Sequence, residues 1–242
     1  MRIRFSTLLF VLLVIGCNTV YHPSSVQYSG YAVSGGAITD TGFAAYLKPF
    51  RDSMDKTMNE VIGEASKRMD VKRPVSTLGN FMSDAFLTMA REKFDPGADI
   101  SVMKFGGIRR PYIEAGSITR SMVFEVMPFD NLMVLVTING DVMEKFLQEI
   151  AMEGAGVAGF TMKMINKKAS EIMIAGAPID PKAEYTLVYS DYNYNNTEVL
   201  KGSKVKMTNY LIRDALEDYI RKMKQTGTPV GEQLENRLYV GN

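Results

Sequence analysis

Residues 99–138 read DISVMKFGGIRRPYIEAGSITRSMVFEVMPFDNLMVLVTI, and two turns in this stretch organise the chain. Ile100 to Met103 is a short apolar run, the pattern of a buried strand. Phe105-Gly106-Gly107-Ile108-Arg109 follows it. Two adjacent glycines allow positive φ and let a ligand approach the backbone closely. Arg109 then adds a rigid fork of donors suited to a planar or anionic partner. The second turn, Met127-Pro128-Phe129-Asp130-Asn131, sets an aromatic face, Phe129, just ahead of an amide, Asn131, that both donates and accepts. Leu132 to Ile138 returns as a continuous apolar strand.

Upstream, Ser76 or Thr77 is placed to cap a helix whose inner face carries Leu78, Phe81, Met82, Ala85, Phe86 and Met89. Asp95-Pro96-Gly97 is a turn. Before that helix, Tyr46, Leu47, Phe50, Met54, Met58, Val61, Ile62, Ala65 and Met69 recur at three and four residues. The spacing predicts one amphipathic helix from Phe43 to Met69, capped by Thr39, Asp40 or Thr41, with Pro49 in its first turn or kinking it. Its apolar stripe has to meet either the domain or another protein.

Downstream, Thr119 is expected to cap a short helix through Val126, and Asn139-Gly140 to lead into a helix from Asp141 to Met152. Gly154 to Gly159 reads as loop. Phe160 to Ile165 and Ile172 to Ile174 read as strands, joined as a hairpin through Lys167-Lys168. Tyr185 to Ser190 is a further strand, Asp191 to Ser203 a polar loop, Thr208 to Lys224 an amphipathic helix, and Asn236 to Val240 an edge strand. This mixture predicts an α/β (α+β) domain of mixed sheets flanked by helices, long enough for a substantial core.

The first residues have a different character. Arg2 and Arg4 precede the apolar run Leu8 to Ile15, and Gly16-Cys17 follows. A basic start, a short apolar centre and a small residue form a secretory leader over residues 1–16. Val14-Ile15-Gly16-Cys17 also resembles a lipobox, which implies a lipid on Cys17. The bland alternatives are an ordinary cleaved leader or an uncleaved anchor. Asn18, in place of an aspartate, favours the outer membrane, so an exported protein lipid-anchored on a periplasmic or surface face is expected. Val20 to Thr41 is rich in Ser, Gly and Tyr and reads as a tether. The expected organisation is leader 1–16, tether 17–41, N-terminal helix 42–75 and domain 76–242.

Composition narrows the chemistry. Cys17 is the single cysteine, so no disulfide within the chain is possible. His22 is the single histidine and reads as a solvated tether residue. Formal net charge is +1, and removing Arg2 and Arg4 with the leader takes it to −1; no basic field for nucleic acid exists. The 17 methionines fall mostly in apolar stripes, as gap-fillers. A two-metal site built on imidazoles cannot come from one histidine, and neither a cysteine nucleophile nor a serine–histidine pair is offered. Asp99, Asp130 and Asp191 remain as oxygen donors, unclustered by any motif. No catalytic or metal-binding residue is therefore assigned, and no cofactor is expected in this chain.

The order of motifs carries more than any one of them. Gly106-Gly107-Ile108-Arg109, then Ala115-Gly116-Ser117-Ile118-Thr119, then Pro128-Phe129-Asp130-Asn131 resembles the C-terminal domain of bacterial 5′-nucleotidases, two-domain enzymes of the periplasm and cell surface. Leu78-Gly79-Asn80 with Asp84, and Gly176-Ala177-Pro178-Ile179-Asp180, extend the resemblance over Ser76 to Tyr239. It implies a layered α/β/β/α domain that binds a nucleoside or nucleotide. It carries over Arg109 and Asn131 as polar contacts, and Phe129 and Tyr192 as two aromatic plates around the base. The family's metals sit in a separate N-terminal metallophosphatase domain, so a separately encoded metallophosphatase is the expected partner and holder of divalent metals.

The chain departs from the family at two places. Lys104 stands where an asparagine is usual, and Asn193 to Glu198 replaces a Gly-Gly-Asp-Gly segment, leaving Asn196 or Glu198 as substitute acceptors. From the residues alone, the favoured reading is the bland one, with Phe129 a core aromatic and Arg109 a partner for a local acid such as Glu114. Two functions follow: the recognition half of a split 5′-nucleotidase-like hydrolase in nucleotide catabolism, or a non-catalytic nucleoside-binding or structural lipoprotein.

Overall fold

The computed structural model describes residues 24–31, 40–231 and 237–241. The leader, Cys17 and His22 lie outside the described residues. The chain falls into two units, Met1–Tyr46 and Leu47–Asn242. In chain order the first elements are α1 (Thr41–Met58), β1 (Val61–Ala65), β2 (Met69–Asp70), α2 (Thr77–Lys93), β3 (Ile100–Lys104), β4 (Tyr112–Ile113) and β5 (Gly116–Thr119). Then come α3 (Arg120–Val126), β6 (Leu132–Asn139), α4 (Gly140–Glu153), β7 (Ala155–Ala158), β8 (Phe160–Ile165), β9 (Lys168–Ile174) and β10 (Ala177–Pro178). The last are β11 (Glu184–Ser190), α5 (Asp191–Asn195), β12 (Lys204–Leu211), α6 (Ile212–Gln225) and β13 (Leu238–Val240).

In the first unit, Asp40 Oδ1 accepts the amides of Gly42 and Phe43 at 2.9 and 3.0 Å and caps α1. The helix predicted from Phe43 to Met69 stops at Met58, with Pro49 in its interior, and none of its residues is buried. The remaining apolar positions, which belong to the second unit, form strands instead. Val61 to Ala65 pairs antiparallel with β5, with a register shift between Val61 and Gly63. That bulge puts Ile62, Gly63 and Ala65 inside, a burial order that imitates a helical period.

The second unit is built on a five-stranded sheet in the order β12-β6-β11-β3-β7, in which only β3 and β11 run parallel. Side-chain alternation divides its apolar residues between two cores. Met103, Met133, Leu135 and Val188 face α2 and α6. Ile100, Val102, Val134, Val136, Ile138, Leu187 and Tyr189 face α4 and a second sheet of order β10-β9-β8-β13. This is the mixed α/β arrangement of sheets flanked by helices that the sequence predicts.

The Leu78-Gly79-Asn80 motif has a direct structural meaning. Leu78 is fully buried. A Cβ on Gly156 would lie 2.0 Å from the carbonyl carbon of Gly79, so α2 rests backbone to backbone on β7. Asn80 Oδ1 then accepts the amide of Val157 at 3.0 Å, satisfying an otherwise unpaired edge group. The predicted loop 154–159 is therefore a strand, and its backbone is paired with β3.

Other boundaries differ for similar reasons. The β8–β9 hairpin turns on Asn166 and Lys167, both with positive φ, one residue earlier than predicted. The polar segment after Ser190 contains α5 and a 3-10 turn at Glu198–Leu200. The predicted helix from Thr208 starts only at Ile212, because Lys204 to Leu211 pairs with β6 and Thr208 Oγ1 donates to the Met133 carbonyl at 2.7 Å. Asn236 lies outside the described residues, while Leu238 to Val240 forms the edge strand predicted there.

Candidate functional site

One cavity of about 390 Å³ opens where β3 and β11 end and β6 begins, a volume within the ~300–1,000 Å³ common for small-ligand sites. Arg109, Phe129, Asn131 and Tyr192, the four residues singled out from sequence, all line it. Arg109 comes from the glycine turn, Phe129 and Asn131 from the second turn and Tyr192 from the start of α5, and hydrogen bonds assemble them. The amide of Arg109 donates to the Val126 carbonyl at 2.9 Å, hooking the glycine turn onto the end of α3. The amide of Ile212 donates to the Asn131 carbonyl at 3.0 Å. Ser190 Oγ caps α5 by accepting the amide of Asn193 at 3.1 Å, which presents Tyr192 at the rim with 61% of its surface exposed.

The glycine turn works differently from its sequence expectation. Phe105 to Gly107 forms one 3-10 turn, and neither glycine takes positive φ. A Cβ on Gly106 would meet nothing within 4 Å, whereas one on Gly107 would press on Met103 Cε at 2.6 Å. The glycines leave the wall bare rather than reversing the chain's handedness. Arg109 does not pair with Glu114, which takes Arg68 at 2.7 Å. Its guanidinium instead lies 4.8 Å from the centre of the Phe129 ring, a cation–π contact. Phe129 is half-buried and outside both buried cores.

The opposite character belongs to residues that sequence reasoning left aside. Lys104, Arg73, Glu153, Phe105 and Asn193 also line the cavity. Lys104 Nζ lies 3.0 Å from Glu153 Oε2, with its side chain only 22% exposed. Arg73 donates to the Glu153 carbonyl and covers the Phe105 ring at 5.0 Å. Three cations therefore meet one carboxylate in the lining. Lys104 carried a signal as a departure from the family pattern; Arg73, in the segment Lys72-Arg73-Pro74, carried none. Asn196 and Glu198, the substitute acceptors suggested by sequence, do not line the cavity. Asn196 Nδ2 donates to the Tyr192 carbonyl at 2.7 Å, and Glu198 pairs with Lys201 at 2.5 Å.

The carboxylates that remained as oxygen donors have local partners. Asp99 Oδ2 accepts the amide of Thr186 at 2.7 Å, and burial lifts its pKa above the ordinary value against that bond. Asp130 pairs with Arg213 at 2.6 Å. Asp191 Oδ1 accepts the amides of Leu132 and Tyr192 at 3.0 and 2.7 Å. Among the described residues no three His, Cys, Asp or Glu side chains gather as metal ligands. With these partners the three carboxylates do not fit a metal site.

Comparison with known proteins agrees with this architecture. The family model described as "5'-nucleotidase, C-terminal domain" matches residues 61–204. The chain is 27% identical over 165 residues to a 5'-nucleotidase of Vibrio parahaemolyticus, covering 64% of this chain and 28% of that protein. It is 28% identical over 195 residues to Protein UshA of Yersinia enterocolitica, covering 76% of this chain and 35% of that protein. The chain thus spans about a third of the length of these relatives. Among solved structures, a 5'-nucleotidase precursor from Thermus thermophilus superposes with a TM-score of 0.70 at 25% identity, over 83% of this chain and 42% of that one. The NAD nucleotidase of Haemophilus influenzae shares the fold, with a TM-score of 0.63 at 13% identity, over 84% and 42% of the two chains. The match begins at Val61, so β1 and β2, expected to be part of a helix outside the domain, lie inside it. By its motifs, its two-sheet architecture and the span of this match, the chain belongs to the 5'-nucleotidase C-terminal domain family.

Proposed function

We propose that this chain is the nucleotide-recognition half of a split 5'-nucleotidase-like hydrolase in nucleotide catabolism, acting with a separate metallophosphatase protein. The observation that carries the reading is the convergence of Phe129, Tyr192, Asn131 and Arg109 on one cavity of about 390 Å³. A base stacked on an aromatic face gains on the order of 1–3 kcal/mol per contact. Phe129 and Tyr192 together therefore need polar help to reach micromolar affinity, for which ~8 kcal/mol is required. Asn131 and Asn193 supply amide donors and acceptors for the base edge or sugar. A base on Phe129 shares the ring with Arg109, so it takes the other face or moves the guanidinium aside. The excess of Arg73, Lys104 and Arg109 over Glu153 favours an anionic nucleotide over a neutral nucleoside.

In this reading the divalent metals and the activated water belong to the partner, since a two-metal site built on imidazoles needs more than His22. A lipid on Cys17 holds the protein at a bacterial membrane, the outer one by the choice of Asn18, with residues 20–41 as tether.

The test is calorimetric titration of the protein with AMP, adenosine and other nucleosides, beside Phe129→Ala and Tyr192→Ala. Nucleotide binding that each substitution weakens by about tenfold to hundredfold is the expected result. Absence of binding to every ligand, or phosphatase activity of this protein alone that survives chelation, overturns the reading.

A further inference from the structure

Arg213 is the second residue of α6 and sits beneath the turn that carries Phe129 and Asn131. It is only 8% exposed, unusual for an arginine. Its Nη1 donates to the Phe129 carbonyl at 3.2 Å and its Nη2 to Asp130 Oδ1 at 2.6 Å. The guanidinium lies over Phe124, whose ring centre is 4.3 Å from Cζ. Its Nε is buried without a hydrogen-bond partner among the described residues, a cost that an anchor for α6 alone would not require. That helix is already held by buried Ile212, Ala215, Leu216 and Ile220, and by Glu217 pairing with Arg120 at 3.0 Å. Two neighbouring residues of α6 thus grip alternate carbonyls of the turn: Arg213 that of Phe129, and the Ile212 amide that of Asn131.

From this geometry we infer that Arg213 is a positioning residue for ligand recognition, holding the 129–131 turn so that the Phe129 ring is presented to the cavity. The inference rests on the proposed nucleotide-binding reading, and it acts through Phe129 rather than by touching the ligand. A planar fork bridges a carbonyl and a carboxylate at once, which a lysine ammonium on a flexible stem does not reproduce.

The experiment compares the wild-type chain with Arg213→Lys, alone and on a Phe129→Ala background. Hydrogen exchange is read at the two hydrogen-bonded amides that bracket the turn, Leu132 on Asp191 and Ile212 on the Asn131 carbonyl, and affinity for AMP by calorimetry. Arg213→Lys is expected to speed exchange at the turn about tenfold while core amides keep their protection, and to weaken AMP binding about tenfold. On the Phe129→Ala background the same change is expected to cost nothing more. Unchanged exchange at the turn, or an equal loss of affinity on both backgrounds, overturns the inference. Should Arg213→Lys fail to fold, Asp130→Asn removes only the ion pair at a side chain that is 80% exposed, and is judged by the same readouts. If the wild type binds no nucleotide, the proposed function fails on its own account, and the exchange measurement still decides whether Arg213 holds the turn.

Discussion

The amide of Leu132 donates to Asp191 Oδ1 at 3.0 Å, across 59 residues of sequence. The same oxygen accepts the amide of Tyr192 at 2.7 Å. One carboxylate therefore ties the start of β6, directly after Asn131, to the start of α5, which carries Tyr192. Arg213 and the Ile212 amide grip the same turn from below, and the Val126 carbonyl holds Arg109 beside it. Arg109, Phe129, Asn131 and Tyr192 are spread over three turns, and hydrogen bonds tie each turn to another segment. Such fixing lowers the ordering cost of binding, which otherwise consumes part of the contact energy.

Asp191→Ala removes the acceptor for two amides at once. The change is expected to cost about 1–3 kcal/mol of stability, read by denaturant unfolding. Under the proposed function it also weakens AMP binding by about tenfold, more than a surface Asp→Ala control such as Asp141→Ala.

Lys104→Met keeps the stem of the side chain and removes its charge. Affinity for AMP is expected to fall roughly tenfold with little change for adenosine, and the salt dependence of AMP binding to flatten. An equal loss for both ligands would mean that Lys104 contributes shape rather than charge.

Gly156→Ala places a Cβ 2.0 Å from the Gly79 carbonyl carbon. Neither backbone can yield without parting α2 from β7, so the loss is expected to reach or exceed about 1–3 kcal/mol. Thermal unfolding checks it, with Gly106→Ala as the control, since a Cβ there meets nothing within 4 Å.

Asp99 has a folded-state pKa raised above 3.8, first by burial, with the Thr186 amide and Arg91 pulling it down and Asp95 pushing it up. A folded pKa above the unfolded one means the native state binds the proton more readily, so this group's contribution falls as pH rises through the window above 3.8. Asp99→Asn keeps an oxygen for the Thr186 amide and carries no charge. The variant's stability relative to wild type is expected to be higher at pH 7 than near pH 3, measured by unfolding at both.

Much of this was legible in the chain itself. Continuous runs of mostly apolar residues along Ile100–Met103, Leu132–Ile138 and Tyr185–Ser190 identified three strands of the central sheet, because a sheet buried on both faces needs apolar groups at successive positions. Ser76 or Thr77, and Thr119, announced two helix starts through capping side chains that act within three residues, and Asn139-Gly140 announced a third as a turn; in the structure Ser76, Thr119 and Asn139 are the caps. The order of the glycine turn, the Pro128–Asn131 turn and Tyr192 marked four residues of the cavity.

The tertiary structure decided what depends on distant partners. Val61 to Ala65 and Lys204 to Leu211 are strands because β5 and β6 offer them hydrogen-bonding edges, and local periodicity cannot report an edge more than fifty residues away. Arg73, Lys104 and Glu153 came together only when the end of β3 met the end of α4. Sequence by itself determined the local elements and the candidate aromatic and polar groups, since capping and apolar runs act over a few residues. Folding decided the charge of the cavity and the grip on the Phe129 turn, since pairing between Lys104 and Glu153, or Arg213 and Asp130, requires segments far apart in the chain to meet in space.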